Sequence, residues 1–538
     1  MSAVSAVSAA TLALTGTRPL LRASLHHDGR RFAPWVAIAT LLSASSVVVY
    51  PWVFPGQAER QALAAAIGAN PALGLVFGPA HDLTTVDGFT AWRSLALGGF
   101  FVALGAVVTV VRTTRGQEDS GQAELLASGV VGRAARLASG TALALVGSLV
   151  AGVVAGLVTV LCGGHPGSSV LLGATFTASG WMFAGVAAVT AQLGSDARTA
   201  TSMAVGALGA LFLLRGFCTS VGAPAWTTWA NPLGWTLETR PASGDRWAPL
   251  LAAVALTAGT VLLAFALQSR RDFGQGSVAP RPGPARGSVR STWRLAVRLN
   301  TGSVVTWTIA SALLGVVFGS FATSVTDLLG GDSGVQQLLA AGAPGADALT
   351  GAFIRTILAL IGIVAAIPGV QVVLRLRAEE RDDRVEPVVA GAVARPRLLG
   401  STVLLALTTT TGYVLLAGTL VALLASRADI GTGFGEVLAQ AVATVPAVWT
   451  VVAVSVAVVG ARPALGLLAW AGVLVSFVLT LLGPTFGLDD RVLAVSPFWH
   501  VPAVTADPDG TGLLGITAVT LLLTAIGFAG FRRRDLAR

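Results

Sequence analysis

Arg115-Gly-Gln-Glu118-Asp-Ser-Gly-Gln-Ala-Glu124-Leu-Leu-Ala-Ser-Gly-Val-Val-Gly-Arg133 and Arg377-Ala-Glu-Glu380-Arg-Asp-Asp-Arg-Val-Glu386-Pro-Val-Val-Ala-Gly-Ala-Val-Ala-Arg395 are two versions of one loop. They align without a gap at an offset of 262, pairing Arg115 with Arg377, Glu118 with Glu380, Glu124 with Glu386, Val131 with Val393 and Arg133 with Arg395. Each places carboxylates before a short apolar run and arginine after it. Each also lies between two long, nearly uncharged stretches. A charged loop that recurs between apolar segments is the mark of an internal repeat built from membrane-crossing units.

Outward from the loops the pattern continues. The chain has 538 residues, 54% hydrophobic and 11% charged, with a mean hydropathy of +0.76. An ordinary soluble domain carries roughly 25% charged residues, so a soluble globular protein is excluded. Spanning a hydrocarbon core takes about 20 apolar residues in a helix. Twelve stretches qualify, near residues 32–54, 91–111, 138–162, 169–193, 199–221, 248–268, 303–324, 351–373, 399–424, 436–460, 464–483 and 511–531. The expected fold is an all-α polytopic membrane protein. Its twelve transmembrane helices form two six-helix parallel repeats.

An even number of spans puts both termini on one side. With the termini cytoplasmic, 27 of the 35 basic residues fall in cytoplasmic segments, the asymmetry that sets orientation. The net charge of +9 therefore describes topology and gives no reason to expect a nucleic-acid partner.

Residues 272–290 are rich in Pro and Gly, a composition that links units rather than packs inside one. They divide the chain into an N-terminal arm and elbow (1–31), a first six-helix half (32–271), the linker (272–290) and a second elbow with the second half (291–538). Both halves open with a basic, partly apolar segment, Arg18 to Arg31 and Arg290 to Asn300. Such a segment suits an amphipathic elbow in the membrane interface, or an ordinary positive flank. Further pairs support the repeat: Ala197-Arg198 with Ala461-Arg462, Asn231-Pro232 with Ser496-Pro497, and Arg271-Asp272 with Arg534-Asp535. Six spans per unit is even, so both copies take the same orientation.

All 35 basic residues are arginine; there is no lysine. A P-loop ATPase needs the phosphate-binding lysine of G-x-x-x-x-G-K-[ST], so the chain cannot power itself by that route. Two cysteines and five histidines, without C-x-x-C or H-E-x-x-H, give no metal or redox framework. The first 17 residues lack a positive segment before their weak apolar run, and a cleaved signal peptide is not expected. Abundant Ala, Gly, Val and Arg without Lys suggests a high-GC bacterial source.

In the first loop Asp119 or Ser120 can cap a short helix, and carboxylates in its first turn complement its dipole. Such a helix displays Leu125, Leu126 and Val130 beside charged groups, a surface suited to a groove on another protein. The second loop keeps the order, with Pro387 early in its helix, where proline is tolerated. Two plain solvated loops are the alternative. Preservation of both glutamates and the arginine across the repeat favours docking.

The residues Glu118, Gly121, Glu124, Leu125, Leu126, Val131 and Arg133 after the second span resemble the coupling helix of ABC-2-type exporter permeases. The pattern R-x-E-E-x-x-x-R-x-E-P-V from Arg377 to Val388 is similar to the fused twelve-span form, the exporters of polyketide antibiotics and tetronasin-type permeases. Leu213-Leu-Arg-Gly216, Asn231-Pro-Leu-Gly-Trp235 and Ser496-Pro-Phe-Trp499 extend the resemblance over nearly the whole chain. Asn231 departs from the family's usual Ser, and Gln117 stands where an acidic residue is usual.

The resemblance implies a non-enzymatic permease subunit in a bacterial plasma membrane, exporting hydrophobic molecules. Its motor would be a separate ATPase, in two copies, which binds ATP and Mg. On this reading Arg115, Glu118, Glu124, Leu125, Leu126, Arg133, Arg377, Glu380, Glu386, Val388 and Arg395 form the coupling surface. Glu118, Glu124, Glu380 and Glu386 would meet basic groups of the ATPase, while Leu125, Leu126, Val388 and Val389 fill its grooves.

Arg215 lies inside a span, where a charge is costly and marks a substrate or gate residue or one that snorkels to the interface. Residues 224–247 and 488–506 mix Pro, Trp and polar groups. The resemblance implies a re-entrant outer gate that includes Trp235 and Trp499; an aromatic belt is the alternative. Phe100, Phe101, Trp307, Phe318 and Phe321 are candidates for an apolar substrate pocket or for ordinary packing. Cys162 and Cys218 both fall near the outer face, either paired or as two buried small residues.

The rival function is an ion-coupled secondary drug transporter of the major-facilitator type, which also joins two six-span halves. Ion coupling calls for ionisable groups in mid-membrane, and apart from Arg215 the spans hold almost none. The loops also lack that superfamily's G-x-x-x-D-R-x-G-R/K pattern.

Overall fold

The computed structural model describes residues 13–68, 74, 76–127, 129, 131–220, 222–271, 276, 291–331, 346–391, 393–427, 433–481, 489–503 and 510–535. The regular secondary structure of the described residues is all helical, and twelve helices are long and apolar enough to cross a membrane. The chain is an all-α, multi-pass membrane protein. It divides into two units, Met1–Gly283 and Pro284–Arg538, with the boundary inside the expected linker.

In the first unit a helix over Thr17–Asp28 and a 3-10 turn over Gly29–Phe32 lead into span 1, Ala33–Val53. Spans 2 to 6 are Val86–Thr113, Ala135–Leu161, Pro166–Leu193, Ala197–Ser220 and Pro249–Ser269. Local chemistry sets several of the starts. The Thr85 hydroxyl accepts the amide of Gly88 to cap span 2. Pro166 opens span 4, where its missing N–H costs nothing. Span 4 is the central helix and packs against spans 2, 3 and 6. Small residues permit this: a Cβ on Gly173 would stand 2.3 Å from the Gly152 carbonyl oxygen, so the backbones of spans 3 and 4 touch.

In the second unit spans 7 to 10 are Thr292–Gly331, Ala346–Arg381, Arg395–Arg427 and Phe434–Ala461. Span 11 begins as a 3-10 helix over Pro463–Trp470 and continues as Ala471–Leu481; span 12 is Thr511–Arg533. Pro368 and Pro446 lie within spans 8 and 10, which neighbouring helices make tolerable in a bundle. Span 10 is central here and meets span 12 glycine to backbone: a Cβ on Gly460 would lie 2.1 Å from the Gly527 carbonyl oxygen.

Of the two readings of the second basic segment, a continuous helix fits the ordinary positive flank. Residues 292–331 form one continuous helix, so the basic segment is its first turns. Nothing from Thr292 to Asn300 breaks a helix, whereas Gly29 interrupts the corresponding approach in the first unit.

Candidate docking and coupling site

Span 2 ends where the Thr113 and Thr114 hydroxyls donate back to the Thr109 and Val110 carbonyls, at 2.8 and 2.6 Å. The chain then makes a short helix over Arg115–Asp119, a turn at Gly121 and a second short helix over Gln122–Ala127. Gly121 has φ +74°, a conformation that L side chains rarely adopt, and it divides the loop into these two short helices.

The two glutamates lie on different helices and in different surroundings. The Glu118 side chain is only 6% exposed and meets three guanidiniums, those of Arg115, Arg136 and Arg271, each at 2.8 Å. Arg115 also donates through Nε to the Ala191 carbonyl at the end of span 4, at 2.6 Å. Arg133 donates to the carbonyls of Gln268 and Arg271 at the end of span 6, and the Gln268 amide returns a bond to the Arg133 carbonyl at 2.9 Å. Asp119 accepts the Ala197 amide at the start of span 5, at 2.7 Å. One buried carboxylate and its neighbours thus tie the ends of spans 2 to 6.

Asp196 caps the same helix start. Burial pushes its carboxyl up, but bonds from the Thr199 amide and hydroxyl and the Ser195 hydroxyl outweigh this and hold it below the usual carboxylate range.

The second unit builds the corresponding cluster with fewer cations. The Glu380 side chain is fully buried. It meets Arg377 at 3.0 Å and accepts Nη2 of Arg534 on both oxygens, at 2.6 and 2.8 Å. Arg534 also donates through Nε to the Gly460 carbonyl at 3.1 Å, and its guanidinium lies 4.8 Å from the ring centre of Phe531. Arg395 donates to the Arg534 carbonyl at 3.0 Å, as Arg133 does to that of Arg271. Position 398, which matches Arg136, is leucine, so the third guanidinium has no counterpart.

These contacts correct the expectation that Glu118 and Glu380 meet a partner protein: both are consumed within their own half. Glu124 and Glu386 are exposed, and Leu125 stands 78% exposed beside Glu124 on Gln122–Ala127. Val388 and Val389, on the short helix Glu386–Ala390, are half-buried and pack against the second unit's own core, which corrects their expected outward role. The side chain of Leu126, and Val130 altogether, lie outside the described residues. The residues that sequence reading did not assign to the site are Arg136, Arg271, Arg534 and Asp119. For Arg271 and Arg534 the signal was the repeated Arg-Asp pair after spans 6 and 12, and in the sequence Asp119 reads only as a helix cap.

At the opposite end of the first unit Arg215 is buried, 4% exposed. It donates to the Val76 carbonyl at 2.9 Å and lies 4.3 Å from the ring centre of Phe212, which packs edge-on to Phe100 at 5.0 Å. Phe100 in turn meets Phe101. Asn231 caps the short helix Pro232–Leu237 and donates to the Leu211 carbonyl at 2.8 Å, while the Trp235 indole donates to the Trp229 carbonyl. Arg215 therefore pins the segment before span 2 to span 5 instead of snorkelling.

In the second unit the Trp307 indole donates to Gln371 at 3.1 Å, and Trp307 and Phe318 pack half-buried on the core. Trp499 stays exposed beside buried Phe498. The side chain of Phe321 lies outside the described residues. Cys162 and Cys218 are free thiols, the first exposed and the second half-buried, where the sequence favoured two buried small residues over a pair.

The sequence profile of the family described as "Multidrug efflux system permease Rv1217c, C-terminal domain" matches residues 39–267 and 289–532, covering most of both halves. The multidrug efflux system permease protein Rv1217c of Mycobacterium tuberculosis (strain ATCC 25618 / H37Rv) is 36% identical over 531 residues. That alignment covers 97% of this chain and 95% of the relative.

Proposed function

This chain belongs to the multidrug efflux system permease family whose profile matches both of its halves, and from that premise we propose that it is the membrane subunit of an ATP-driven exporter of hydrophobic, drug-like molecules. The two halves are a parallel repeat of ABC-2 type, in the bacterial plasma membrane with both termini cytoplasmic. A separate ATPase, in two copies, binds ATP and Mg and docks on Gln122–Ala127 and Glu386–Ala390.

One observation carries this reading. In each half a short helix with an exposed glutamate directly follows a buried carboxylate–guanidinium cluster that grips the ends of several spans. A displacement of that helix is delivered to the bundle as a rigid-body shift, because a close-packed cluster does not absorb it. The missing lysine supports a motor on another chain. Glu124 and Leu125 on the first helix, and Glu386 on the second, are the contact residues. Arg115, Glu118 and Arg133, and in the second half Arg377, Glu380 and Arg395, act behind them as transmission.

The test is charge reversal of both exposed glutamates, E124R with E386R, in the full complex. Loss of ATPase co-purification and of substrate-stimulated hydrolysis, with the melting temperature unchanged, is expected. Unchanged co-purification and stimulation would refute the docking sites. Transport should also survive collapse of the ion gradient while ATP is present; dependence on the gradient alone would favour the ion-coupled transporter.

A further inference from the structure

A cavity of about 640 Å³ lies in the first unit between the Thr17–Asp28 helix, span 1 and span 3. Its size is within the roughly 300–1,000 Å³ of ligand pockets. Its wall is apolar along most of its length, from Phe32 and Val36 to Leu41 on one side and from Leu143 to Val154 on the other. From Gly29 to Leu41 a helical chain rises about 18 Å, close to half of a hydrocarbon core of about 30 Å, the depth of one leaflet.

Its polar end lies at the basic end of the unit. There Asp28 pairs with Arg112 at 3.0 Å and with Arg31 at 3.5 Å, two guanidiniums against one carboxylate, and the Arg31 side chain is 63% exposed. Asp28 is the charged residue on the cavity wall, and its two guanidinium partners, which stand behind it, leave this end with one positive charge in excess. A groove one leaflet deep with such an end matches a lipid with an acyl chain below and an anionic headgroup above.

We propose that this groove binds an anionic phospholipid of the leaflet at the basic end, its acyl chain along span 3 and its phosphate beside Arg31 and Arg112. Basic pockets at that level of a bundle recruit anionic headgroups, while the chain contributes through its buried methylenes. Asp28 then acts as the counter-charge that moderates the site. Removing it and removing an arginine should have opposite effects.

The experiment uses the full chain extracted into detergent with phosphatidylglycerol or phosphatidylcholine added, and counts retained lipid per protein by mass spectrometry. Phosphatidylglycerol should be retained over phosphatidylcholine. R31Q should lower its retention by about fivefold, the weight of one basic residue at a membrane surface, and D28N should raise it. V146W with V150W, which fills the groove from its exposed side and leaves the charges alone, should abolish it. Equal retention of phosphatidylcholine, retention that survives V146W with V150W, or a parallel fall in D28N and R31Q would overturn the proposal. So would recovery of a neutral or cationic amphiphile from the groove in place of phosphatidylglycerol.

Discussion

Glu380 holds Arg534 by both carboxylate oxygens, at 2.6 and 2.8 Å, across 154 residues of chain. The side chain of Glu380 is fully buried and that of Arg534 is 12% exposed, so neither charge can turn to water if its partner is lost. Removing one member of a buried pair typically costs about 3–5 kcal/mol, because the other charge is left uncompensated. E380A should therefore lower the melting temperature steeply, and R534A should do so as well. E380L combined with R534L should recover part of the loss relative to E380L alone, because Arg534 is no longer stranded, while Arg377 still lacks its carboxylate. A double variant no more stable than either single variant would show that the pair contributes no coupling of its own.

The first half divides its cations differently, and its variants should follow. Glu118 serves three guanidiniums, so E118Q strands three charges, whereas R136Q leaves Glu118 paired with Arg115 and Arg271. E118Q should be the more destabilising by a clear margin in thermal unfolding. Equal effects would mean that the cluster is not centred on the carboxylate.

Two of the four apolar residues expected to fill a partner's grooves, Leu125 and Val388, should separate cleanly. Leu125 is 78% exposed, and L125A should leave stability within about 0.5 kcal/mol, as surface changes do, while reducing stimulation of the partner ATPase. Val388 packs on its own half. V388A should cost about 1 kcal/mol of stability for its partly buried methyls. Thermal unfolding beside ATPase titration tells the two apart.

Much of this architecture was legible in the sequence, for reasons that differ by element. The spans were readable because a hydrocarbon core imposes a length and excludes charge. The direction of each loop carboxylate was not. Glu118 and Glu124 are six residues apart in one acidic loop, and what separates them is the left-handed turn at Gly121 together with Arg271, which arrives from 153 residues away. Val388 likewise reads as exposed beside Glu386 and Pro387 until the apolar cluster that several spans of its own half form is brought against it. Arg215 reads equally as snorkelling or functional, and only the Val76 carbonyl decides that it is an anchor.

The contact between spans 3 and 4 is tight enough for one methyl group to register. G173A would place its Cβ 2.3 Å from the Gly152 carbonyl oxygen, and such overpacking costs about 1–3 kcal/mol because the backbones must move apart. A drop in melting temperature is expected, whereas G206A in span 5, with open space around its Cβ, should be neutral or slightly stabilising.

Asp196 gives the basic end of the first half a pH dependence whose sign follows from its bonds. The Thr199 and Ser195 groups outweigh burial and hold its carboxyl below the ordinary value, so the folded protein binds this proton more weakly than the unfolded chain. Its stabilising contribution is then complete above the unfolded value of about 3.9 and is lost as the pH falls through the lower folded value. D196N keeps an oxygen to cap span 5 but carries no titrating charge. The wild type should lose more melting temperature than D196N between pH 6 and pH 3, and parallel curves would show that the cap, not the charge, is what Asp196 contributes.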